Sequence, residues 1–168
     1  MQRSGIMNTL DYAIEMEIDG EKYYKEQAKL NENDSIKKVC LILANDEGLH
    51  AQILQKKKSE LSYDLPDTES YAKIKSIFKD ADNFKSEIRE QPTQLEFYET
   101  AKEKEKQSID LYTDFFAKAA DKKEGDLFQY LIEQEKLHFS LLDEMVTMLR
   151  HAEEWVESAE FGVRTETY

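Results

Sequence analysis

The sequence predicts an all-α fold, a bundle of four long helices arranged as two antiparallel hairpins. Three observations carry that expectation. Only 5 Gly and 2 Pro occur among 168 residues, and 35% of the residues are charged. Both prolines, Pro66 and Pro92, fall in mid-chain, and on either side of them apolar residues recur at helical spacing. The two flanking segments also resemble each other, so the chain reads as one hairpin duplicated.

Taken in order, the first helix is expected over about residues 8–30 and the second over about 34–62. The third is expected over about 93–119 and the fourth over about 122–150. Thr93 with Glu96 and Asp121 with Glu124 have the spacing of a capping box, and Asn8 and Asp34 are candidate caps for the first two helices. Short joins make each pair an antiparallel hairpin. The connection over 63–92 is long enough to cross the bundle and is expected to carry a short helix near 71–78. Residues 151–168 are expected as a C-terminal tail, and the whole of 1–168 as one domain.

Charge and composition exclude several functions. A net charge of −13 leaves no basic stripe for nucleic acid and disfavours an anionic membrane surface. The longest apolar run, VCLILA at 39–44, is far too short to span a bilayer. The opening MQRSGIMNTL lacks the apolar stretch of a signal peptide, so the expected location is cytoplasmic. Cys40 is the single cysteine, which rules out a four-cysteine metal centre within these residues and reads as a small core residue.

The repeat has a constant offset of 88 residues. AIEMEIDGEKYY at 13–24 aligns with AKEKEKQSIDLY at 101–112, and NDEGLH at 45–50 with EQEKLH at 133–138. The matched positions include Ala13/Ala101, Glu15/Glu103, Glu17/Glu105, Tyr24/Tyr112, Glu47/Glu135 and His50/His138. A pseudo-twofold axis would bring two similar metal sites face to face.

Tracing each helix at alternating three- and four-residue steps gives four core seams. They are Leu10, Ala13, Glu17, Gly20, Tyr24; Ile36, Cys40, Leu43, Glu47, His50, Leu54; Tyr98, Ala101, Glu105, Ser108, Tyr112; and Phe128, Leu131, Glu135, His138, Leu142. Each seam is interrupted by a carboxylate near its middle. Four carboxylates at one depth would repel one another, and burying each unpaired costs several kcal/mol. Two divalent ions supply four positive charges against the four carboxylates, which would move the formal charge from −13 to about −9. Glu47–His50 and Glu135–His138 are both ExxH pairs, whose spacing of three puts both side chains on one helix face. One Glu from each of two helices with ExxH from each of the other two matches the arrangement of dimetal carboxylate bundles. Mixed oxygen and imidazole ligation suits Fe or Mn, with Zn possible. Tyr24 and Tyr112, two turns beyond Glu17 and Glu105, are candidates to bond a ligand carboxylate. Asp46 is a candidate to orient a histidine through its ring N–H, whereas its counterpart Gln134 has no carboxylate to offer. His151 has no companion at ligand spacing and is expected at the surface.

These motifs resemble the rubrerythrin-like branch of the ferritin-like di-iron superfamily. The resemblance rests on ExxGxxYY and ExxSxxLY in the first and third helices, with DEGLH and QEKLH in the second and fourth. It covers about residues 8–150, and the tail HAEEWVESAEF also resembles that of short rubrerythrin-like proteins. It implies a ferritin-like bundle with two hairpins and one long crossover. It also implies two Fe ions, with Glu17 and Glu105 as terminal ligands, Glu47 and Glu135 as bridging ligands, and His50 and His138 each holding one ion. Rubrerythrins proper add a carboxylate three residues after the third-helix ligand, where this chain has Ser108, and carry a four-cysteine rubredoxin domain. The remaining six-ligand set is closer to that of bacterioferritin.

The activity implied is reduction of hydrogen peroxide to water by a di-iron peroxidase, with electrons from an external donor such as a rubredoxin. A homodimer is the expected assembly. The alternatives are a ferroxidase or iron-handling protein acting with O2, and a structural or spore-associated bundle stapled by metal. An oxygenase stands further off, for nothing in the sequence marks an organic substrate pocket.

Overall fold

The computed structural model describes residues 2–79 and 95–162, with side chains described over 9–79 and 95–151. The described elements are α1 (Gln2–Leu30), α2 (Asp34–Lys58), α3 (Ser70–Lys79), α4 (Leu95–Ala117) and α5 (Lys122–Gly162). The architecture is the expected ferritin-like four-helix bundle. α1 packs along α2, and α4 along α5, as two antiparallel hairpins. The hairpins meet with α1 against α4, through Tyr23 on Phe97, and α2 against α5, through Asp46 and His138.

Every apolar position in the four sequence-traced seams is buried. The core, however, is divided in two. One apolar cluster gathers Tyr24, Ile36, Leu43, Tyr98, Leu142 and Met145 at one end of the bundle. The other gathers Leu10, Leu54, Tyr112, Phe115, Phe128 and Leu131 at the opposite end. Between them lies a polar layer of Glu17, Glu47, His50, Glu105, Glu135 and His138, all at most 4% exposed. Cys40 is buried in the first cluster, and His151 is exposed, both as expected.

The described part of the crossover, residues 63–79, lies over the α2–α5 face. Tyr130 donates from its hydroxyl to the Pro66 carbonyl at 2.6 Å, Lys75 of α3 pairs with Glu144, and Ile74 is fully buried in the first apolar cluster. These ties fix the segment leading into α3 directly above the polar layer.

Several boundaries differ from expectation for local reasons. α1 starts at Gln2 and runs through Asn8, so Asn8 is not its cap. α2 is capped by Asn33, whose Oδ1 accepts from the Ile36 N–H at 3.0 Å; Asp34 is the first helical residue, where its charge favours the helix dipole. Thr93 lies outside the described residues. Asp121 does accept from the Glu124 N–H at 2.8 Å, but Glu124 reaches back to the N–H of Ala120 at 3.3 Å, one residue earlier than a capping box requires. α4 ends at Ala117, as Lys118 and Ala119 turn to i−3 carbonyls. α5 continues to Gly162, twelve residues past the expected end at 150, because 151–160 holds no Pro or Gly to stop it.

α2 stops at Lys58, earlier than residue 62, through a backbone motif centred on Glu60. The Leu61 N–H reaches the Lys56 carbonyl at 2.8 Å and the Glu60 N–H reaches Lys57 at 3.1 Å, with Glu60 left-handed at φ 57°. A Cβ in that conformation costs about 1 kcal/mol, which glycine avoids. Glu60→Gly is therefore expected to raise the melting temperature by roughly 2–4 °C for a chain of this size. A lower or unchanged temperature in a thermal melt would contradict the strain.

Candidate metal centre

All six residues expected from the seams converge in the polar layer. Their positions follow from helix periodicity: Glu17 and Glu105 come from α1 and α4, and the two ExxH pairs project from facing sides of α2 and α5. The His138 Nδ1 lies 3.1 Å from Glu47 Oε1, 3.3 Å from Glu135 Oε2 and 3.5 Å from Glu105 Oε1. The His50 Nδ1 lies 3.3 Å from Glu135 Oε1 and 3.5 Å from Glu17 Oε2. The two imidazoles are nearly parallel, with ring centroids 5.9 Å apart.

Donor atoms fall into two overlapping groups able to hold an ion. Glu17, Glu47, His50 and Glu135 form one, and Glu47, Glu105, Glu135 and His138 form the other, with donor atoms within 4.8 Å of one another in each. Glu47 and Glu135 belong to both. Among the described residues, seven buried side-chain atoms have no hydrogen-bond partner. They are Glu17 Oε2, Glu47 Oε1, both ring nitrogens of His50, both carboxylate oxygens of Glu135, and His138 Nδ1. All seven belong to this cluster. Buried polar atoms are rarely left unsatisfied, so this concentration of electron-pair donors fits a pair of cations.

The surroundings hold these donors in place. Tyr24 donates to Glu105 Oε1 at 2.5 Å, and Tyr112 donates to Glu17. Each tyrosine thus serves the glutamate of the opposite hairpin, locking the two halves together. Burial, with the neighbouring Glu105 or Glu17 charge, raises both phenols well above 10 and keeps them as donors. Asp46 meets His138 of the other hairpin, its Oδ2 lying 2.9 Å from Nε2. Ser70, at the start of α3, donates to Asp46 Oδ1 at 2.8 Å. Sequence reasoning missed Ser70, which lies 24 residues from Asp46 on a crossover that carries no motif.

Two small residues open the α1–α4 face. A Cβ on Gly20 would stand 2.7 Å from Glu47 Oε2, so glycine there leaves room for that carboxylate. Its repeat partner Ser108 bonds the Lys104 carbonyl at 3.1 Å and Met16 sulfur at 3.6 Å, turning its hydroxyl away from the cluster. A cleft of about 220 Å³ lies between them, lined by Tyr12, Met16 and Tyr24 and reaching Glu47 and Glu105.

The charges order themselves consistently. Burial pushes all four carboxyls upward, but at Glu17 the His50 charge overcomes it and holds the group at about 2. His138 lowers Glu105 in the same way. Burial and the surrounding carboxylates drive Glu47 and Glu135 well above their ordinary 4.5. Burial favours neutral imidazoles, yet Glu17 raises His50 above 6.5, and Glu105 with Asp46 raises His138 well above it. The surroundings thus favour protons on Glu47, Glu135, His50 and His138 and favour Glu17 and Glu105 as anions.

Two divalent ions must displace those protons. Binding a pair is expected to release protons, and affinity is expected to rise with pH as fewer remain to be displaced. Calorimetry in buffers of different ionisation enthalpy reads the proton count. Binding without proton release would contradict this charge arrangement.

Comparison with known proteins agrees with the site. Searches of curated proteins and of solved structures returned no match. The family model described as Rubrerythrin matches residues 8–146, a span that contains all six cluster residues, both tyrosines and the crossover. Members of that family bind di-iron. With most of its length matched and the family's carboxylate–histidine cluster assembled in its core, this chain belongs to the rubrerythrin family.

Proposed function

We infer that this protein is a di-iron carboxylate oxidoreductase that reduces hydrogen peroxide to water. The observation that carries the reading is the pair of overlapping donor groups sharing Glu47 and Glu135, reached from a cleft on the α1–α4 face. In this reading Glu17 and His50 hold one ion, Glu105 and His138 hold the other, and Glu47 and Glu135 lie between them. Iron is the metal that the family favours, with Mn and Zn as the competing occupants.

An iron pair bound there supplies two electrons, the number that cleavage of a peroxide O–O bond consumes. Hydrogen peroxide also takes up two protons to give two waters. Tyr24 lines the cleft, and burial favours its protonated form, so a proton can be held where peroxide arrives. Tyr24 and Tyr112 keep Glu105 and Glu17 oriented throughout. The electrons return from an external donor, for which a rubredoxin is the expected class. We place the protein in the cytoplasm as a homodimer.

The test is an anaerobic titration of the reduced, iron-loaded protein with hydrogen peroxide, followed by visible absorption. Rapid oxidation at one peroxide per two irons is expected. Failure of stoichiometric peroxide to oxidise the protein would overturn the reading. Oxidation by O2 with release of Fe(III) would instead favour a ferroxidase. A Glu17→Ala variant that lowers the melting temperature, in a protein with no redox turnover, would favour a metal-stapled structural bundle.

Gly20→Ala adds a methyl against Glu47 Oε2 and displaces that carboxylate. A shift of about 1 Å at a reacting centre costs on the order of a hundredfold in rate. The peroxide-driven oxidation is expected to slow by about that factor while the helical circular dichroism is unchanged. A wild-type rate would show that the position of Glu47 does not matter.

A further inference from the structure

The two halves of the cluster match in nearly every respect. Each has a terminal glutamate held by a tyrosine of the opposite hairpin, and each histidine turns Nδ1 toward the carboxylates. Glu47 and Glu135 belong to both donor groups. The repeat fails at the outer nitrogen of the imidazoles.

Behind His138 stands a buried carboxylate. Asp46, 1% exposed, places Oδ2 at 2.9 Å from Nε2, and its other oxygen is fixed by the buried Ser70. Among the described residues, no such group stands behind His50. His50 is fully buried and its Nε2 has no hydrogen-bond partner among the described residues. The position equivalent to Asp46 is Gln134, whose Oε1 accepts from Thr68 at 3.4 Å, and the neighbouring Tyr130 presents its ring edge-on to His50 at 6.4 Å.

The difference has a direct consequence for metal binding. A carboxylate behind an imidazole keeps the proton on Nε2, leaves the Nδ1 lone pair facing the ion, fixes the ring and strengthens it as a donor. At His50 the ring must bind through Nδ1 while burying an Nε2–H that no described residue accepts, an arrangement that opposes binding. We propose that the two ion positions are unequal: Asp46, held by Ser70 of α3, makes the Glu105–His138 position the tighter one, which a divalent cation fills first. The Glu17–His50 position fills second and releases its ion first. Asp46 is a positioning residue, and through Ser70 the crossover takes part in retaining the metal. The inference rests on the dimetal reading of the cluster.

The test uses full-length apoprotein titrated anaerobically with Co(II), read by calorimetry and visible absorption. His50→Ala leaves the His138 position and is expected to keep the tight step. Adding Asp46→Ala to it should weaken that step by about ten- to a hundredfold. His138→Ala should keep only the weaker step, and adding Asp46→Ala should change it by less than about threefold, well short of the loss of an outer-shell partner. Equal affinities in the two single-histidine variants, or an equal response of both to Asp46→Ala, would overturn the proposal. Where a histidine variant fails to fold, the wild-type proton NMR spectrum with one equivalent of Co(II) decides the point. One set of shifted ring signals that changes on Asp46→Asn supports ordered filling, and two half-intensity sets overturn it. Wild-type protein that binds no Co(II) would overturn the dimetal reading itself, a result distinct from two equal sites.

Discussion

Four carboxylates buried at one depth in an apolar bundle repel one another, and the rest of the structure is arranged around containing that repulsion. They are at most 4% exposed, so the protein must supply opposite charge, protons or hydrogen-bond donors. It supplies all three in part. His50 and His138 stand close enough to stabilise Glu17 and Glu105 as anions, the buried tyrosines donate to the same two groups, and Glu47 and Glu135 are driven toward their neutral forms. Seven atoms of the cluster remain without hydrogen-bond partners. A fold that spends this much of its interior on unsatisfied donors is organised for cations.

The apolar clusters at the two ends hold the helices in register, and the tyrosine–glutamate bonds cross from one hairpin to the other. Those bonds make the polar layer part of the packing between halves, so the helices cannot slide without disturbing the donors. The crossover adds a constraint that the helices alone lack. Its described part, residues 63–79, sits over α2 and α5 and sets Ser70 against Asp46, which in turn meets His138. The duplication therefore produces a symmetric set of six cluster residues inside an asymmetric shell, because the crossover is not itself repeated and sets Ser70 against Asp46 but Thr68 against Gln134.

The bundle, the seams and all six cluster residues were legible in the sequence because each follows from periodicity. A glutamate at a core position of a heptad-like seam is conspicuous, and a repeat offset of 88 residues places its counterpart without knowledge of the fold. Features that depend on backbone conformation or long-range contact were not legible. The end of α2 depends on Glu60 adopting a left-handed conformation for which its side chain gives no signal. Asn33 and Asp34 are both good caps, and only the chain path into α2 selects the first. The extension of α5 to Gly162 had no marker, because the traced seam ends at Leu142 and residues 151–160 hold neither Pro nor Gly to set a stop. Asp46 could be recognised as a partner for a histidine, but its bond crosses to the other hairpin, and Ser70 lies in a segment without periodicity.

The central claim is that this cluster holds two ions between Glu47 and Glu135. Anomalous scattering from crystals of the iron-loaded protein, measured at the iron absorption edge, tests it most directly. The account predicts two peaks about 3.5–4 Å apart, the usual separation of paired metal ions. One should lie beside Glu17 and His50 and the other beside Glu105 and His138. Peaks confined to the acidic surface, or none within the bundle, would contradict it.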